Sequence, residues 1–237
     1  MVQPQRRRPR TRGSQLAAAM GVLGELALTV GVLVLLYAVW QVWWTDLEAN
    51  AQHTASVTRL EHAFSQTTPS ATSVVPPIEP GAGFAIARIP QLGADYAVPI
   101  VEGTTSPLLE LGIGHYVGTA EPGQIGNLAL AGHRMTYGGP FRDIERVTPG
   151  DVVIIETAST FYVYTMGAHT IVDPDHVAAI APVPERPGVA PTVASITLTA
   201  CHPKYASTWR WIVHGELTET IPRAQWDPAR FGLAAGT

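Results

Sequence analysis

The chain has 237 residues, 46% of them hydrophobic and 14% charged, with 15 basic and 19 acidic side chains and a formal net charge of −4. A single cysteine excludes a disulfide-stapled scaffold. Five of the arginines crowd the N-terminus, and without them no basic patch is left to bind nucleic acid.

The opening "MVQPQRRRPRTRG" holds those five arginines and no acid. From Leu16 to Trp44 the chain is almost wholly apolar, with Glu25 as its one charge. That is long enough to span a bilayer, which takes about 20 residues. Trp40, Trp43 and Trp44 bunch at one end as an interfacial aromatic belt does. We therefore expect a cytoplasmic basic tail over 1–15 and an uncleaved transmembrane anchor over 16–44. The arginines hold the N-terminus inside, which places everything from Asp46 onward outside the cell. A cleaved signal peptide fits less well, because the run is long and no small-x-small site follows it. The exported part has 10 basic residues against 18 acidic, a net of −8.

Residues 45–66 lack glycine and proline and read as a juxtamembrane helix, with a thin apolar stripe of Leu47, Val57, Leu60 and Phe64. Residues 67–83, "TTPSATSVVPPIEPGAG", read as an extended, solvated linker. The folded domain is expected over 84–218, with a C-terminal tail over 219–237. Within it the runs "FAIARIP", "YAVPIVEG", "GNLALAGH", "DVVIIET", "FYVYTMGAHTIV", "SITLTA" and "WRWIVHGEL" are short, β-like and punctuated by turn residues. "LLELGIGHY" reads as a short helix or turn, and a hairpin is expected across Ala158-Ser159. Many strands at short spacing indicate an all-β sandwich or closed barrel. The long stretch over 173–194 has the length of a lid or binding loop.

Cys201 closes the run "SITLTA", and Arg210 lies nine residues on. An exported thiol that pairs with no second cysteine is a liability unless it is buried or used. To attack, it needs a cation or base nearby. His53 and His62 precede the domain. His202 points to the opposite face from its neighbour Cys201 on an extended chain. His214 lies far along its strand, and His169 and His176 bracket the start of the long loop. His115 and His133 each follow a glycine at the end of an apolar run. His133 is the better placed, because a strand delivers it and a Gly-rich loop exposes it, and His115 reads as structural.

"TLTAC" with Arg210 downstream, "LALAGHR", "GIGHYVGTAEPG", "TPGDVV" and "CHPKYASTWRWIVHGEL" together resemble the class E sortases, the housekeeping type of high-GC Gram-positive bacteria. The apolar anchor is similar to theirs too, whereas the arginine-rich start and the final residues are not covered. The resemblance implies a closed eight-stranded β-barrel with short helices, preceded by one transmembrane helix. It implies a cysteine transpeptidase in which Cys201 attacks the Thr–Gly carbonyl of a Leu-Ala-x-Thr-Gly-like signal near the C-terminus of an exported protein. The thioacyl-enzyme would be resolved by an amine of a peptidoglycan precursor. His133 would serve as general acid and then base, and Arg210 as a fixed cation at the carbonyl oxygen. Tyr116 matches the tyrosine linked to the Ala preference, and Thr199 is counted with it as a substrate contact. No cofactor is implied. The loop acids Asp173, Asp175 and Glu185 lack a calcium-ligand pattern, so no metal is expected.

The family pattern is Thr-Leu-x-Thr-Cys, and Ala200 stands where the last threonine belongs. That threonine is implicated in contacts to bound substrate, so Ala200 is expected to leave the site short of one donor. This departure supports an alternative, a weakly active or non-catalytic tethered β-domain that binds wall or protein partners. Other exported cysteine acyl-transferases, such as L,D-transpeptidases, carry the thiol in a Ser-His-Gly-Cys context or at a helix start, and neither is present.

Overall fold

The computed structural model describes residues 12–66 and 78–234. The chain divides after Trp44 into two units. In the first, the long helix α1 (Arg12–Gln66) contains Ala19–Trp40, 22 residues with a mean hydropathy of 2.3. At about 1.5 Å per residue that stretch is roughly 33 Å long, matching the hydrocarbon core of a bilayer. Tyr37, Trp40 and Trp44 follow one another along it, the first pair tilted at a centroid spacing of 5.9 Å and the second stacked at 5.7 Å. Residues 1–11 of the basic tail and 67–77 of the linker lie outside the described residues.

The second unit begins with the remainder of α1. Its buried stripe is Ala49, His53, Val57 and Phe64, and Val57 and Phe64 pack on Ile86 with Leu60 beside them. Leu47, expected on that stripe, is 47% exposed. Periodicity from Val57 backward reaches residues 53 and 49 or 50, and a histidine and an alanine there do not stand out as an apolar face.

The barrel is built from β1 (Gly83–Arg88), β2 (Val98–Glu102), β3 (Ile113–His115), β4 (Gly126–Gly132), β5 (Val152–Glu156), β6 (Thr160–Val172), β7 (Ala194–His202) and β8 (Trp209–Pro222). They close in the order β1-β2-β3-β4-β7-β8-β6-β5, and β5 pairs back with β1. The pairs β2/β3 and β4/β7 are parallel, and the others are antiparallel. The eighth strand, β3, sits inside the segment read as a short helix or turn, after α2 (Ser106–Leu109). Its three residues, with Gly114 in the middle, are too short for a period-2 signal. The core gathers inward side chains such as Ile100, Leu128, Leu130, Val153, Tyr164, Ile196, Leu198 and Val213.

The barrel does not stop at residue 218. Strand β8 runs on to Pro222, and the chain then folds back, with Trp226 stacked on Phe161 at 3.9 Å and Leu233 buried. A buried charge network secures this return. Arg88, fully buried on β1, donates through Nε to Glu156 and through Nη2 to Glu61 of α1, each at 2.7 Å. Glu156 also accepts from Arg223 at 2.7 Å, whose guanidinium lies over Phe161 and Phe64. Removing one partner from a buried ion network leaves the other charge desolvated and costs about 3–5 kcal/mol. Glu156→Ala is therefore expected to destabilise the protein by an amount in that range, measured by chemical denaturation. A loss under about 1 kcal/mol is the size expected of a surface pair and contradicts this account.

Candidate active site

Strands β4 and β7 run parallel with Gly126 opposite Ala194 and Gly132 opposite Ala200. Both therefore end on the same side, and the next residues are His133 and Cys201. Side chains alternate along a strand. In β7, Ile196, Leu198 and Ala200 face the core, so Ser195, Thr197, Thr199 and Cys201 face outward. In β4, Leu128 and Leu130 face the core, and Asn127 meets the outward Thr197 at 2.8 Å. His133 continues that outward set and joins Cys201 in lining a cavity of about 290 Å³ with Arg134, Lys204 and Tyr205. Gly132 is required just before it, because a Cβ there would stand 2.5 Å from the Phe141 ring.

Burial pushes the His133 imidazole below the ordinary histidine range, and the negative charge of Glu110 offsets part of that fall. Its Nε2 is buried and has no hydrogen-bond partner in the protein. Such a nitrogen is uncommon in a folded protein. Tyr137 packs on the imidazole at 5.5 Å.

Arg210 on β8 pairs in register with Cys201, so the two side chains share one face of the sheet. Its Nη1 donates to the carbonyls of Ser207 and Trp209 at 3.0 and 3.1 Å. It lines a smaller groove of about 110 Å³ with Tyr116 and Thr199, whose hydroxyls lie 3.1 Å apart. Thr199 is two residues from Cys201 on the same face of β7, so this groove leads toward the thiol. Five of the six expected site residues thus fall into two sets, His133 with Cys201 in one cavity and Tyr116, Thr199 and Arg210 in the other, linked by the Cys201–Arg210 register.

Ala200 is the exception and corrects the expectation. It is 3% exposed and belongs to the core, because the alternation that turns Thr199 and Cys201 outward turns residue 200 inward. It does not line the groove.

The stretch 173–193 is held down along its middle rather than lying loose. It contains a short 3-10 turn, Val177–Ile180. Asn127 Nδ2 donates to the carbonyls of Ala179 and Ala181 at 3.1 and 3.0 Å. Glu185 bonds His176 at 2.6 Å and lies 3.4 Å from His214. Partial burial raises the Glu185 carboxyl, and these two histidines more than reverse that, leaving it below the usual carboxylate range.

His115 lies apart from the thiol, bonded to Glu102 at 2.6 Å and to Thr119 at 2.8 Å within the barrel wall. Sequence reasoning missed Arg134 and Glu110. Arg134 is buried, donates to the Cys201 carbonyl at 3.3 Å and pairs with Glu145. Its signal was only its place after His133 in "GHR", and Glu110 had none. Among the described residues, no group of three His, Cys, Asp or Glu side chains is placed to hold a metal ion.

A family model described as a sortase domain matches residues 87–218. The chain is 39% identical to sortase SrtE1 of Streptomyces coelicolor over 93% of its own length, and it spans 63% of that relative. It is 31% identical to SrtE2 of the same organism, covering 91% of this chain and 87% of the relative. Among solved structures, sortase E from Streptomyces avermitilis superposes with a TM-score of 0.59 at 37% identity, over 65% of this chain and 99% of that one. Sortase E1 of S. coelicolor with a tripeptide in the active site superposes with a TM-score of 0.57 at 40% identity, over 64% and 97%.

Two outcomes follow from this geometry. Ala200→Thr buries a hydroxyl in an apolar core, which costs about 1–3 kcal/mol. It should lower the melting temperature and leave acyl transfer no faster, and a faster variant of unchanged stability contradicts the inward placement. Glu110→Gln removes the charge that partly supports imidazolium, so the His133 pKa should fall further. Titration of the His133 ring signals by NMR checks this, and an upward shift contradicts it.

Proposed function

Because the chain belongs to the sortase family, we propose that it is a membrane-anchored cysteine transpeptidase acting on exported proteins. The apolar stretch Ala19–Trp40 is the single-pass anchor. The arginines before it keep the N-terminus in the cytoplasm, with the barrel outside the cell. The substrate is a C-terminal sorting signal like Leu-Ala-x-Thr-Gly, cut between Thr and Gly.

In the first half-reaction the Cys201 thiolate attacks the Thr carbonyl carbon. The C–N bond to glycine breaks, and His133, as imidazolium, gives its proton to the departing amine. In the second, an amine of a peptidoglycan precursor attacks the thioester, His133 takes its proton, and the C–S bond breaks to return the thiolate. One amide is exchanged for another, so no oxidant or cofactor is needed.

Arg210 stabilises the charge that develops on the carbonyl oxygen. Its bonds to Ser207 and Trp209 both use Nη1, which leaves Nε and Nη2 for the substrate. A guanidinium stays protonated, so it cannot be the base. Tyr116 and Thr199 contact the signal residues upstream of the scissile bond.

The observation that carries this reading is the shared cavity of Cys201 and His133, one register step beyond Gly132 and Ala200, with Arg210 opposite the thiol. The alternative, a weakly active or non-catalytic tethered domain, rested on Ala200, whose buried position makes it less telling about substrate contact.

Incubation with a Leu-Ala-x-Thr-Gly peptide and no amine acceptor should yield a thioacyl adduct on Cys201, detected by mass spectrometry of the intact chain. Cys201→Ala should form no adduct and cleave no peptide while remaining folded. Cleavage by that variant above background would exclude Cys201 as the nucleophile.

A further inference from the structure

The loop after β4 doubles back on the residue that begins it. Phe141 N–H donates to the His133 carbonyl at 2.9 Å, and Gly139 N–H to Thr136 at 2.9 Å. Its apex carries three successive residues at positive φ: Tyr137 at 52°, Gly138 at 76° and Gly139 at 55°. A tyrosine in that region is strained and persists only where its surroundings fix it. Tyr137 is also the residue whose ring packs on His133.

Those surroundings come from α1. The Asp46 carboxylate accepts from Gly138 N–H at 3.2 Å and from Arg142 Nη2 at 2.7 Å. One turn on, Asn50 presses on the same apex, where a Cβ on residue 138 would stand 2.6 Å from its Oδ1. Two turns on, buried His53 bonds the Glu110 carbonyl at 3.2 Å. The Glu110 carboxylate in turn faces the Tyr137 hydroxyl and raises its pKa. Positions 46, 50 and 53 lie on one face of the helix. That face grips the loop apex directly and the Glu110 segment behind it. Farther along, the same helix is locked to the barrel wall by Val57, Phe64 and Glu61.

We propose that the face of α1 formed by Asp46, Asn50 and His53 is a positioning element for His133, holding the strained loop so that the imidazole stays on the thiol. The proposal rests on the reading of His133 as the acid–base group. The juxtamembrane helix is then a working part of the active site and more than a spacer. Tyr116, Thr199 and Arg210, which form the peptide groove, stand on other elements, so loosening this face should impair turnover and spare binding. A misplacement of about 1 Å in a reacting group can cost on the order of 10²-fold in rate.

The test uses the full-length chain in detergent, with a Leu-Ala-x-Thr-Gly peptide and an amine acceptor. Asp46→Ala should lower kcat by about tenfold or more, with KM within about twofold and the melting temperature nearly unchanged. Asp46→Lys should be at least as severe, and adding Arg142→Glu to it should recover much of kcat by restoring an ion pair of reversed sign. Unchanged kcat in Asp46→Ala, or a loss that tracks melting temperature with no recovery in the double variant, overturns the proposal. His133→Ala run in parallel separates the two claims. If it is inactive while Asp46→Ala is normal, the positioning role fails and the acid–base reading stands. If His133→Ala turns over normally, both fall.

Discussion

Strands β4 and β7 are hydrogen-bonded in parallel from Gly126 and Ala194 to Gly132 and Ala200, and the site hangs on that ladder. In an antiparallel pair the end of one strand meets the start of the other. Only parallel partners deliver two C-terminal ends to one place, here with Cys201 near the end of β7 and His133 just past the end of β4. The register is over-determined. Leu128, Leu130, Ile196 and Leu198 are wholly or almost wholly buried in the core, while Asn127 and Thr197 pair on the outer face. A slip of one residue would turn Cys201 into the core and expose that apolar set, a loss of several buried side chains at once.

A parallel pair also demands a long crossover. Between β4 and β7 the chain makes β5, β6 and the strap over 173–193. The strap is tied back onto the ladder it connects: Asn127, a β4 residue, binds its carbonyls at Ala179 and Ala181. The connection that topology requires thus becomes one wall of the groove beside Tyr116 and Thr199. At the opposite seam, the Arg88, Glu61, Glu156 and Arg223 network fastens both ends of the described domain to the same pair of strands, β1 and β5. Such a network is weak evidence for stability, but it fixes which groups meet, because any other arrangement strands a charge.

Much of this was legible in the sequence. Seven of the eight strands announced themselves by β-branched runs between turn residues, and the long apolar helix by its composition. The thiol and its arginine could be placed because strand periodicity is local. What failed was whatever depended on partners distant in the chain. Strand β3 owes its existence to neighbours on both sides, β2 and β4, and has no pattern of its own. Residues 219–234 looked like a tail because their anchors, Phe161 and Glu156, lie some sixty residues upstream. His53 and Asp46 lay outside the apolar stripe read for the juxtamembrane helix, since nothing nearby reveals that Gly138 and Glu110 face them. Ala200 was misjudged for another reason. Motif position suggested a substrate contact, and the alternation that placed Thr199 and Cys201 outward already implied that residue 200 points in.

The charges around the cavity are unevenly matched. Burial holds the His133 imidazole below the ordinary histidine range, against the partial pull of Glu110. The other cations at the cavity are already matched: Arg134 with Glu145, and Lys204 with Asp143. Arg210, by contrast, has no carboxylate partner among the described residues and is spent on two backbone carbonyls. Among the described residues, the cation at this end of β7 that lacks a carboxylate partner therefore lies on the side of the groove lined by Tyr116 and Thr199. Oxidation proceeds through thiolate. The sequence has no second cysteine, so no resolving thiol stands by to rescue an oxidised Cys201.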